Sequence, residues 1–126
     1  MKETMMRNLK SSLKEWDCPS DGTFFRQLSC GESLLTWTLS VGETVLESRL
    51  TVEAPHPVVV PLSFGYTGIG WTAVGNSISA AVSWNLCGFT KPDLKARMGR
   101  ILSMMGLAVS GDPHAYEEVL SQVLFL

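Results

Sequence analysis

The side chains that titrate or react nearest neutral pH are three cysteines, Cys18, Cys30 and Cys87, and two histidines, His56 and His114. A thiol becomes a nucleophile when a neighbouring base or cation holds it as thiolate, and a zinc site needs three or four ligands at short, regular spacing. Neither pattern is written here: no CxxC pair occurs and the two histidines are far apart. His56 lies between Pro55 and Pro57, the chemistry of a rigid turn, and His114 follows Asp112-Pro113, where Asp112 reads as a helix cap. Thiol chemistry at Cys30 or Cys87 is the one catalytic option the residue types leave open, against the commoner role of such cysteines as inert packing. Gly65, Gly68, Gly70 and Gly75 form no phosphate loop, because no GK[ST] follows them and they lie between strands rather than before a helix. The sequence predicts no catalytic residue, cofactor or metal, and points to a protein that works by contact.

Contact is governed by charge, and here the charge is unevenly placed. The chain has 126 residues, 45% hydrophobic and 17% charged, with a formal net charge of −2. That length suits one α+β domain over residues 1–126, and the apolar fraction excludes disorder. A mildly acidic chain lacks the basic field that general nucleic-acid binding requires, and Lys2, Arg7, Lys10, Lys14, Lys91, Lys95, Arg97 and Arg100 read as solvated helix faces. Between Glu53 and Lys91 there is no Asp, Glu, Lys or Arg at all. One reading of that stretch is a strand pair covered by helices on both faces. A second, which the Ser, Thr, Gly and Asn content favours, is a flat interface with a partner or a second copy. A transmembrane hairpin is a minor third reading, because one hairpin cannot close a barrel alone.

The elements follow from the spacing of apolar residues. Met5, Leu9, Leu13 and Trp16 repeat with a helical period, predicting a helix over Met1–Trp16, which Asp17-Cys18-Pro19-Ser20-Asp21-Gly22 ends as a turn. From Thr23 the period becomes two. Strands are expected over Thr23–Cys30, over Leu34–Val41, and over Thr44–Val52 after a Gly42-Glu43 hairpin loop. Val58 to Tyr66 alternates like a strand, with prolines that restrict it to an edge or bulge, and shorter strands follow over Trp71–Val74 and Ser77–Leu86. Thr90-Lys91-Pro92-Asp93 caps a second helix, and Asp112-Pro113 starts a third that runs to the end of the chain. The expected fold is α+β: an N-terminal helix, an antiparallel five- to six-stranded sheet and two C-terminal helices packed on it.

On this frame, partner contacts are expected from Leu9, Leu13, Trp16, Leu34, Trp37 and Val45, the apolar side chains of the first helix and hairpin. A dimer interface is expected from Val59, Ser63, Tyr66, Ser77, Ser79 and Ser83 in the uncharged stretch. The N-terminus has no apolar run of signal-peptide length and no window reaches a membrane-spanning length of ~18–20 apolar residues. With an odd, scattered set of cysteines, this implies a soluble cytoplasmic protein, neither inserted in a membrane nor bound to nucleic acid.

The element order resembles the class I type III secretion chaperones. It rests on the amphipathic N-terminal helix, the three-strand meander from Gly22 to Ala54, the strand Ser77–Leu86, and the helix Pro92–Ala108 after a Pro/Asp loop. The resemblance implies a small acidic cytoplasmic homodimer that keeps a segment of a secreted effector extended on its surface. Those chaperones usually place a second helix between the third and fourth strands, where Pro55 to Tyr66 here reads as strand. Two other functions share the composition. One is an immunity or inhibitor protein that blocks a single target. The other is a carrier of lipid or another small hydrophobic ligand, with a cavity lined by Trp37, Phe64 and Trp84.

Overall fold

A computed structural model describes residues 2–125. The first helix, α1 (Lys2–Ser12), is followed by β1 (Asp17–Ser20), β2 (Thr23–Cys30), β3 (Ser33–Val41) and β4 (Val45–Glu53). A short 3-10 helix (Leu62–Tyr66) precedes β5 (Gly70–Val74) and β6 (Ser77–Asn85), and α2 (Lys91–Ser110) and α3 (Glu117–Val123) complete the chain. The strands form one antiparallel sheet in the order β1-β2-β3-β4-β6-β5. This is the α+β architecture that the apolar spacing predicts.

Alternation in the strands decides which face is covered. Leu35, Trp37 and Leu39 on β3, Leu46, Leu50 and Val52 on β4, and Ile78 and Ala80 on β6 are all fully enclosed. They share one cluster with Met5 and Leu9 of α1, with Leu94, Met98, Ile101, Leu102 and Met105 of α2, and with Val119 and Val123 of α3. Each such side chain contributes roughly 1.5–3 kcal/mol when fully buried. All three helices therefore serve a single face. The uncharged strands are not sandwiched between helices, which corrects the doubly covered reading.

Local chemistry sets the ends of α2. Thr90 and Asp93 form a reciprocal capping box, with the Asp93 carboxylate accepting from the Thr90 N–H at 2.9 Å. Those contacts hold the Asp93 carboxyl below its ordinary range: the backbone N–H of Thr90 first, then its hydroxyl. Gly111 closes the helix at φ 71°.

Four expectations need correction. Helix α1 stops at Ser12 rather than Trp16; Leu13 pairs with Leu124, Glu15 takes φ 56°, and the Trp16 indole donates to the Val123 carbonyl at 2.7 Å. Leu13 and Trp16 thus tie the two ends of the chain together instead of prolonging a helix. The expected turn at Asp17–Ser20 is an edge strand, and its Pro19 is tolerated because an edge needs donors on one side only. The β3–β4 hairpin turns at Glu43-Thr44, one residue later than Gly42-Glu43, since Val41 pairs with Leu46 and the Gly42 N–H donates to Val45 at 2.8 Å. Finally, α3 begins at Glu117, because Asp112 caps a preceding turn by accepting from the His114 N–H at 2.9 Å.

Candidate functional site

The largest departure from the expected pattern falls in the uncharged stretch. Pro55 to Tyr66 is not a strand: the chain runs irregularly past Pro55, Pro57 and Pro61 and then winds into the 3-10 helix. Three prolines remove three ladder donors, and Pro61, at φ −59°, is preset for the helical turn that follows. Phe64 turns inward to 5% exposure, its ring 4.7 Å from Trp71 of β5. Thr67 fastens this pair with both capacities of its hydroxyl. It donates to the Phe64 carbonyl at 2.7 Å and accepts from the Trp71 indole at 3.1 Å. Arg100 of α2 reaches the Thr67 carbonyl at 3.5 Å.

With Phe64 inside, its neighbours two positions away face out. Leu62 is 96% exposed and Tyr66 94%, nearly the full extent of each side chain. The Val58 N–H donates to the Gly75 carbonyl at 3.0 Å, which sets Val59 beside the end of β5, where Val74 stands. Val59 and Val74 are also strongly exposed. Four of the six exposed large apolar residues among those described therefore belong to one uncharged segment. Isolated exposed leucines are ordinary; Leu62 and Tyr66 on one anchored turn, with Val59 and Val74 at the end of the adjoining strand β5, mark a candidate contact surface.

This segment borders an open sheet edge. Strand β5 pairs with β6 alone and carries neither charge nor proline in Gly70–Val74. The opposite edge is β1, four residues long, with Asp17, Pro19 and an irregular register. Charge, proline and irregularity are the usual protections against strand pairing, so β1 is guarded where β5 is not.

The sheet face turned away from the helices is polar. Thr36 and Thr38 of β3, Arg49 and Thr51 of β4, Thr72 of β5, and Ser79 and Ser83 of β6 share it by register. The Thr51 and Ser79 hydroxyls bond at 2.9 Å, and a shallow trough of about 520 Å³ is lined by residues including Thr38, Ser40, Glu47, Arg49 and Ser83.

The expected site residues separate on this frame. Val59, Ser63 and Tyr66 stand exposed on the uncharged segment, while Ser77, Ser79 and Ser83 lie one strand in from the edge, on the polar face. The six expected partner residues do not form one surface. Leu9 and Trp37 are completely buried, and the Trp37 indole donates to Ser48 at 2.9 Å, so both hold the core and neither reaches a partner. Leu13 and Trp16 are half-buried against the C-terminal segment. Leu34 and Val45 lie at opposite ends of the polar face, each half-buried. Sequence reasoning missed Leu62 and Val74. A period of two over Val58–Tyr66 sets Leu62 on the same face as Phe64, and the 3-10 turn reverses that relation.

The reactive groups stay apart. The Cys30 thiol meets the Ala115 carbonyl at 3.8 Å, Cys18 meets the Ser20 carbonyl at 3.3 Å, and Cys87 is exposed in the turn after β6. His114 pairs with Glu117 at 2.9 Å on the surface, and His56 contacts the carbonyl of Pro57. Among the described residues no group of three His, Cys, Asp or Glu side chains is arranged to hold a metal ion, and no helix is long and apolar enough to cross a membrane. Comparison with family models, curated proteins and solved structures finds no match to the chain.

Proposed function

We propose that the chain is a non-enzymatic protein-binding domain that acts as a homodimer, a chaperone or adaptor for a segment of another protein. The observation that carries this is the exposure of Leu62 and Tyr66 on an anchored, uncharged turn, with Val59 and Val74 exposed at the end of the unguarded edge strand β5. A neutral face meets a second copy of itself without like-charge repulsion, although the whole chain is acidic. Two copies related by a two-fold axis bring the same edge strand and the same turn together, which is the self-complementary contact a symmetric dimer needs.

The short helix at Leu62–Tyr66 adds support. It stands between the meander β2–β4 and the strands β5 and β6, the position of the extra helix in the class I type III secretion chaperones that the sequence resembles. The partner in that reading is an extended segment of a secreted effector, and the compartment is the cytoplasm. Three cysteines without a disulfide among them suit a reducing environment.

The experiment is light scattering on the purified chain and on a Leu62→Asp/Tyr66→Asp double variant. The expected masses are a dimer for the parent and a monomer for the variant, with unchanged circular dichroism because neither side chain supports the core. A parent chain that stays monomeric at high micromolar concentration overturns the dimer.

A further inference from the structure

The helical side carries a second surface of different character. Where α2 and α3 meet the end of α1, three adjoining hollows of about 370, 550 and 440 Å³ share Lys95, Leu120, Pro92 and Phe125 between them and so form one trough. Its floor is apolar: Pro92 and Ala96 from α2, Leu120 from α3, and Phe125, which is 63% exposed. Its rim is basic. Lys14 lies 4.8 Å from the centre of the Phe125 ring and donates to the Ser121 carbonyl at 3.1 Å, and Lys91 donates to the Ser11 hydroxyl at 2.9 Å. Lys95 stands exposed between them and forms no ion pair among the described residues. Among the described residues the one carboxylate on the trough is that of Glu117, which lies 2.9 Å from the His114 ring nitrogen.

We infer that this trough binds an acidic protein segment bearing apolar side chains. Three ammonium groups around an apolar floor, on a chain of net charge −2, give a local field opposite in sign to the whole and complementary to carboxylates. Apolar side chains of the segment fill the floor between Pro92 and Leu120, and its carboxylates reach Lys14 and Lys95. The inference rests on the reading of the chain as a protein-binding domain, whose partner chemistry it specifies. It is independent of the dimer, because the trough lies on the helices and the β5 edge on the sheet.

The test is nuclear magnetic resonance titration of the isotope-labelled chain with a synthetic amphipathic peptide of Glu, Leu and Ala. A matched peptide with Lys in place of Glu is the control. The acidic peptide is expected to shift the amides around Lys95, Leu120 and Phe125. Lys14→Glu/Lys95→Glu should weaken it at least ten-fold with the fold intact, and raised salt should weaken it several-fold. Equal binding of the basic peptide, or no shift with the acidic one at millimolar concentration, overturns the proposal. So does the same set of shifts with anionic phosphatidylglycerol vesicles in the peptide's place. A change of mass in light scattering for Lys14→Glu/Lys95→Glu also overturns it, by making the trough a contact between copies. The Leu62→Asp/Tyr66→Asp variant should bind the acidic peptide as the parent does, which separates failure of the trough from failure of the dimer.

Discussion

The ring of Phe64 packs 4.7 Å from the indole of Trp71, at 50° between their planes, and Thr67 bonds to both residues. Phe64 lies outside the central cluster while Trp71 packs against it, so this contact fastens the turn to the rim of the core. A side chain presented from a fixed backbone loses less freedom on association than one on a mobile loop, which gives Leu62 and Tyr66 their value as contact residues.

Phe64→Ala should therefore act on the turn more than on the sheet. The expected loss of stability is about 3 kcal/mol or somewhat less, because the cavity opens toward the surface and can relax. Hydrogen exchange at the Phe64 and Thr67 amides should quicken well beyond that in β3 and β4, and the dimer should weaken. Uniformly faster exchange across the sheet would show that Phe64 belongs to the main folding unit.

Trp37 and Ser48 make a second pair with a measurable consequence. Both are enclosed, and the indole is the partner of the Ser48 hydroxyl at 2.9 Å. Trp37→Phe leaves that hydroxyl buried without a partner, at a cost of about 1–3 kcal/mol beyond the lost packing. In a Ser48→Ala background the same substitution should cost less, by a coupling of about 1 kcal/mol. Denaturant unfolding of the four chains reads this directly, and simple additivity would remove the hydrogen bond from the account of the core.

These residues also show what the sequence makes legible. Alternation along β3, β4 and β6 places nearly every inward side chain correctly, because a period of two has one buried solution when helices cover one face. Thr90-Lys91-Pro92-Asp93 marks the start of α2 because capping is local chemistry. Alternation misleads between Val58 and Tyr66, where prolines forbid the ladder that the pattern imitates. It is also silent on whether an apolar residue is core or contact. Leu9 and Leu62 are the same residue type, one completely buried in the central cluster, the other almost wholly in solvent. That distinction arises from tertiary packing. Likewise the lysine-rimmed trough joins Lys14 to Lys95 across most of the chain, and no window of sequence contains both.

Acid should weaken α2 at its start. The Thr90 N–H, and after it the Thr90 hydroxyl, hold the Asp93 carboxyl below the usual carboxylate range. A carboxyl whose folded pKa lies below its unfolded value contributes stability above the unfolded value of about 4, and loses it as pH falls through the lower folded one. The difference in denaturation midpoint between the parent and Asp93→Asn should thus be present at pH 6 and shrink on acidification below pH about 4. A difference that persists unchanged at pH 2 would assign the effect of Asp93 to packing instead of charge.

Two glycines of α2 should respond in opposite directions to the same substitution. Gly106 is buried where the chain turns back toward α3, and a Cβ there meets the Asp112 carbonyl oxygen, part of the backbone that closes the helix. Backbone cannot swing aside as a side chain can, and the Asp112 N–H is itself bonded to the Gly106 carbonyl at 3.3 Å. Gly106→Ala should therefore cost about 1–3 kcal/mol, as overpacking does, despite the better helix propensity of alanine. At Gly99 the nearest atom to an added Cβ is a terminal methyl of Leu120 at 3.4 Å, which a small rotation relieves. Gly99→Ala should gain up to about 1 kcal/mol of helix stability. It also adds a methyl to the apolar floor of the trough, so it should leave acidic-peptide binding within about two-fold of the parent. Thermal unfolding of both variants checks the contrast. A stabilised Gly106→Ala chain would mean that the α2–α3 connection is not held as closely as the Asp112–Gly106 contact requires.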